Sequence, residues 1–113
     1  MTLDTKLVAL VNELITDEVI EDVLITLIES GWSSWIDLAE FDSYGAVAAG
    51  SSALVLTYEN PDDEGNLTTL VSRNEIRNAI VKHVLFRGIQ EVFDAEDADC
   101  IIQYALFNDL IFG

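Results

Sequence analysis

Positive charge is what this chain has least of. Five Lys and Arg and one His stand against 21 Asp and Glu in 113 residues, a formal charge of −16 at pH 7. A nucleic-acid backbone is therefore not expected as a direct ligand, because such binding draws most of its affinity from Lys and Arg neutralising phosphates. Cys100 is the one cysteine. It allows neither a disulfide within the chain nor a thiolate metal pair, and a reducing cytoplasm is the expected compartment. No apolar run approaches the roughly 18 residues of a membrane span. Met1 to Thr5 carries no basic run, and the stretch after it is broken by Asn12, Glu13 and Asp17, so no secretory signal is expected. Low-complexity stretches, internal repeats and interdomain linkers are missing as well. So are a glycine-rich phosphate loop, a nucleophile elbow and a dinucleotide fingerprint.

Apolar residues, by contrast, are plentiful. They make up 50% of the chain, and the mean hydropathy is +0.31 despite the charge. Disorder is excluded, since disordered acidic chains are poor in such residues. Large aliphatics, 11 Ile and 14 Leu, also argue against the acidity being an adaptation to salt. One domain spanning 1–113 is expected. The apolar surplus predicts a homo-oligomer, most simply a two-fold dimer through a terminal helix or an exposed sheet edge.

Periodicity predicts an α+β fold: an N-terminal helix pair, a central β-hairpin or small antiparallel sheet, and two C-terminal helices covering one sheet face. Leu7, Leu10, Val11, Leu14 and Ile15 form one helical stripe. Thr16 then serves as N-cap, with Asp17 and Glu18 in a first turn where the helix dipole favours negative charge. Val19, Ile20, Val23, Leu24, Leu27 and Ile28 form the second stripe, closed by Ser30-Gly31 as a left-handed cap. The segment 32–50 is rich in Ser, Ala, Gly and aromatics and predicts short extended pieces or a loop around Trp35, Leu38 and Phe41. Strand composition over 53–58 and 67–71, joined by Asn60-Pro61-Asp62-Asp63-Glu64-Gly65, predicts a hairpin with a charged tip. Ser72 and Glu75 match a capping box opening a helix with Ile76, Ala79, Ile80, Val84 and Phe86 on its apolar face and Gly88 near its end. Asp94 caps the last helix, with Glu96 and Asp97 in its first turn. Ala98, Ile101, Ile102, Ala105 and Leu106 form its stripe.

Few residue groups suggest chemistry. Asp17, Glu18, Glu21 and Asp22 share one helix side, with neighbours about 5–6 Å apart, close to the spacing of phosphates on a strand. They read either as a solvated face or as a surface for a basic partner. Asn60, Asp62, Glu64 and Gly65 imitate the start of a calcium loop, but Val71 stands where the bidentate Glu belongs. Arg73, Arg77, Lys82, His83 and Arg87 gather in one helix, either as a patch for an anionic ligand or, more simply, to neutralise carboxylates within the chain or across a dimer. His83 has no Ser or Cys nucleophile recognisably placed for it, and the carboxylates around Cys100 disfavour a thiolate. Asp97 and Asp99 lack a second cluster with metal-ligand spacing. No catalytic residue, cofactor or metal is assigned. Trp32 and Trp35, with Phe41 and Tyr44, read as core or as interface anchors.

Gly31-Trp32-Ser33-Ser34-Trp35, the run from Ala98 to Phe107 and the final Phe112-Gly113 resemble small acidic bacteriophage proteins, a likeness that implies no assigned activity. By charge alone, the chain also resembles phage DNA-mimic proteins, including anti-restriction and anti-CRISPR inhibitors, which implies a basic host protein as partner. The expected function is a non-enzymatic acidic protein-binding module acting as such a mimic, with Asp17, Glu18, Glu21, Asp22, Trp32 and Trp35 as contacts. The alternative is an adaptor or assembly protein working through its apolar and aromatic surface. Whichever holds, duplex and single-stranded DNA should show no gel shift at micromolar protein in physiological salt, and a retarded band would refute the charge argument.

Overall fold

A computed structural model describes residues 9, 13–87 and 93–112. Within them lie four helices and one three-stranded antiparallel sheet, an α+β architecture. Helix α1 spans Asp17–Glu29, strand β1 Ile36–Glu40 and helix α2 Tyr44–Ala49. Strands β2 (Leu54–Glu59) and β3 (Asn66–Val71) form the expected hairpin, followed by helices α3 (Arg73–Arg87) and α4 (Ala95–Phe107).

Local chemistry accounts for most element ends. Thr16 is the N-cap of α1 by backbone, although its side chain makes no capping bond. At the other end, Gly31 N–H donates to Ile28 O at 3.1 Å and Trp32 N–H to Leu27 O at 2.8 Å. That is a Schellman cap, and it requires the positive φ of 79° that glycine adopts without strain at position 31. Ser72 and Glu75 exchange capping-box bonds at 3.4 and 3.3 Å. Asp94 and Asp97 form a second box at the start of α4, at 2.8 and 3.1 Å.

The sheet runs β1-β2-β3. On β2, Leu54, Leu56 and Tyr58 point into the core, while Val55, Thr57 and Glu59 face the other way. Ile36 of β1 pairs with Tyr58 but Leu38 with Thr57, so Asp37 is the extra residue of a bulge. Helices cover one sheet face. There Ile20, Val23, Leu24 and Leu27 of α1 meet Val47 of α2, Ile76 and Ile80 of α3, and Ile101 and Ile102 of α4.

Three sequence expectations need correction. Segment 32–50 holds an extended piece, strand β1, as expected, but also the short helix α2, which the sequence does not predict, capped by the Ser43 side chain and ended by Gly50 at φ 82°. Phe86 is 71% exposed, and His83 takes its place inside. At about 100° per residue, position 83 falls within roughly 20° of Ile76 on the helix, whereas position 86 falls about 80° away. Leu14 is 54% exposed while Ile15 is buried. The extended backbone at Thr16 (ψ 172°) breaks the register between that stripe and α1. Leu7, Leu10, Val11 and Gly88 lie outside the described residues.

No described helix is long and apolar enough to cross a membrane. Core position should decide mutational cost. Ile101→Ala is expected to lose about 2–5 kcal/mol of stability in urea unfolding, and Phe86→Ala about 1 kcal/mol or less.

Candidate functional site

Four carboxylates of α1 lie off its packed stripe. Asp17, Glu18 and Asp22 are exposed and Glu21 is half-buried, whereas Ile20, Val23, Leu24 and Leu27 are buried. Helical geometry centres the acids roughly 140° from that stripe. One of the four is engaged within the chain. Arg73 Nε donates to Asp17 Oδ1 at 2.9 Å, a second guanidinium nitrogen donates to the same oxygen, and Arg73 Nε also reaches Ala48 O at 2.9 Å. This joins the starts of α1 and α3 and leaves Glu18, Glu21 and Asp22 as the outward acidic run. Elsewhere on α3, His83 lies against Asp97. Lys82 Nζ donates to Asn108 O at 2.6 Å and sits 5.1 Å from the Tyr104 ring centre.

Trp32 and Trp35 sit elsewhere. Helix α1 ends at Glu29, about 18 Å along its axis from Asp17 at 1.5 Å per residue, and both tryptophans follow beyond that end. Trp32 is half-buried against Phe41, with ring centres 6.1 Å apart. Trp35, 5% exposed, is the centre of an aromatic cluster. It stacks on Phe112 at 4.8 Å and 9°, meets Tyr58 edge-on at 6.2 Å, and touches Phe107 at 5.9 Å.

Polar side chains of α4 hold that cluster together. Asp99 accepts from Trp35 Nε1 and Gln103 Nε2, both at 2.8 Å, and from the Ser33 hydroxyl. Gln103 Oε1 accepts the N–H groups of Ile111 and Phe112 at 2.7 and 2.8 Å, and its Nε2 donates to Phe112 O at 3.0 Å. Gln103, 1% exposed, thus satisfies the backbone of the C-terminal segment as a neighbouring strand would. The composition of α4 gave no sign of this role.

His83 Nε2 and Asp97 Oδ1 lie 2.8 Å apart in the core between α3 and α4. Burial pushes the Asp97 carboxyl up, but hydrogen bonds from the Asp94 backbone and His83 outweigh it and hold the group below its usual value. Burial, then the Asp99 charge, push the Cys100 thiol up, so it is a poor nucleophile. Among the described residues no group of three or more His, Cys, Asp and Glu is placed to hold a metal ion. A shallow cleft of about 340 Å³ runs past Ser51, Ser52, Ser72 and Arg73, where Arg73 is already committed to Asp17 and Ala48.

Comparison with protein-family models, with curated proteins and with solved structures finds no match. The pH behaviour of Asp97 is nevertheless fixed in sign. A carboxyl with a lowered folded-state pKa adds stability above its unfolded value near 4, which is lost as pH falls through the folded value. Asp97→Asn should therefore unfold at lower urea than the parent at pH 7, and the difference should shrink below about pH 4. A gap that stays constant down to pH 3 would show that the carboxylate charge contributes nothing.

Proposed function

We propose that this chain is a non-enzymatic acidic module that binds a basic protein surface, of the kind a host nucleic-acid-handling protein presents, by standing in for the nucleic acid. One observation carries the reading: Glu18, Glu21 and Asp22 lie on α1 away from the residues that α1 packs with. Folding does not require them there. Like charges three and four residues apart each destabilise a helix by a few tenths of a kcal/mol. A run without an intervening Lys keeps that small cost, and a basic partner would offset it.

The surrounding field supports the same reading. Asp37, Glu40, Asp42, Glu59, Asp62, Asp63 and Glu64 are also exposed, and a net charge of −16 speeds encounter with a basic protein. Trp35 is already stacked on Phe112 and bonded to Asp99, which favours the charged face over the aromatic one as the contact. A cytoplasmic setting and a phage source belong to this proposal.

Capture of basic bacterial proteins on the immobilised chain, at low and high salt, provides the assay. Glu18→Lys with Glu21→Lys should weaken a salt-sensitive complex by at least about tenfold, since close charge pairs at an interface carry energies above 1.4 kcal/mol. The same charge change at Asp62 and Asp63 should reduce binding far less. Equal, slight losses from both pairs would mean that only the overall field matters. Salt-resistant capture unaffected by either pair would return the acidity to a solubilising role and favour the adaptor reading.

A further inference from the structure

Among the described residues the sheet has two open edges, and they differ. Edge strand β1 carries Asp37 and Glu40 and is bent by the bulge at Asp37, the usual protections against strand addition. Edge strand β3, Asn66-Leu67-Thr68-Thr69-Leu70-Val71, carries no charge and no proline, in a chain with 21 carboxylates. Leu67 and Leu70 on it are 40% and 63% exposed.

The phase of the ladder shows which backbone groups are free to pair. Asn60 N–H donates to Gly65 O at 3.1 Å, and the register continues Glu59 with Asn66, Thr57 with Thr68 and Val55 with Leu70. In antiparallel pairing hydrogen-bonded and non-hydrogen-bonded pairs alternate. Tyr58–Leu67 and Leu56–Thr69 are then the bonded pairs. Asn66, Thr68 and Leu70 turn their N–H and C=O groups outward, where no described strand pairs with them.

We propose that β3 is a dimerisation edge that pairs antiparallel with β3 of a second copy, about a two-fold axis through Thr68. An axis perpendicular to the sheet keeps core faces on the same side, so paired positions must share parity. Bonding must also run through 66, 68 and 70. Both conditions are met when Thr68 faces Thr68 and Asn66 faces Leu70 of the second copy. Leu67 then lies opposite Thr69 and diagonal to the other Leu67, within side-chain reach. Six strands form one continuous sheet.

Charge favours a second copy in this register. Nothing charged within β3 meets its counterpart. Asp63 stands five positions from the axis, so at about 3.4 Å per residue the two hairpin tips lie roughly 34 Å apart, far beyond a Debye length of about 8 Å. The register also sets each acidic tip beside the start of α3 in the other copy, the positive end of a helix dipole. This edge is separate from the acidic face of α1, and the proposal does not depend on the basic-partner reading.

Sedimentation at tens of micromolar should give about 25 kDa, twice the 12.5 kDa chain. Thr68→Pro removes an N–H that β2 does not use, and it should return the mass to one chain with unchanged circular dichroism. Thr68→Lys, which places two like charges on the axis, should do the same if the proline variant fails to fold. Thr68→Cys adds the register test. Bonded antiparallel partners have Cα atoms about 5.5 Å apart, within disulfide range, so this variant should oxidise to a covalent dimer. Asn66→Cys, roughly 14 Å from its equivalent by strand rise, should do so at least tenfold more slowly, with Cys100 alone as background. A parent chain monomeric at 100 µM, or equal cross-linking at both positions, overturns the proposal. Loss of basic-partner capture in the Lys pair at Glu18 and Glu21, with dimer mass retained, separates the two proposals.

Discussion

Scarcity of cations decides how this fold is held together. With 21 carboxylates and five Lys and Arg, most acidic groups near the interior must be satisfied by neutral donors. Asp99 takes an indole N–H, an amide and a hydroxyl. Asp97 takes the Asp94 backbone N–H. Hydrogen bonds to an ionised acceptor are roughly twice as strong as neutral ones, so acidity here supplies tertiary links without paired cations. An ion pair, Arg73 with Asp17, also joins α1 to α3, at the surface, where such a pair contributes least.

Legibility in the sequence followed the range of the forces involved. Capping at Ser72 and Asp94, the hairpin turn and the close of α1 at Ser30-Gly31 are local, and each was readable from neighbouring residues. The sequence predicts the β1 region only as short extended pieces or a loop, because its pairing with β2 is a long-range event and the bulge at Asp37 interrupts its alternation. Helix α2 is six residues long, too short to show a period. Asp97, Asp99 and Gln103 lie off the apolar stripe that the sequence predicts for this helix, yet all three turn toward partners from other segments. For such residues identity gives no direction; the donor they meet decides it.

The acidic run on α1 was legible as a run, but not as a site. Sequence spacing placed Asp17, Glu18, Glu21 and Asp22 on one side, and the structure keeps them off the packed stripe. It could not reveal that Arg73, 56 residues away, engages Asp17. Nor could it reveal that Trp35 is occupied by Phe112 and Asp99, since Trp35, just before β1, meets Asp99 of α4 and Phe112 beyond α4 only through long-range packing.

Acidic face and uncharged edge are complementary features of one surface economy. Sixteen unbalanced charges oppose close approach of two copies everywhere except where charge is missing, and β3 is such a strip. Self-repulsion therefore narrows the ways in which two copies can meet, much as added surface charge prevents unspecific pairing in other edge-bearing sheets. If the edges meet about an axis perpendicular to the sheet, both helical layers stay on the same side. Each acidic α1 then faces the same general direction, and a basic partner with repeated or extended positive surface meets two such faces at once. Linking two weak electrostatic contacts raises the effective concentration of the second without any new contact. Charge that weakens the single domain would thereby gain binding strength through assembly.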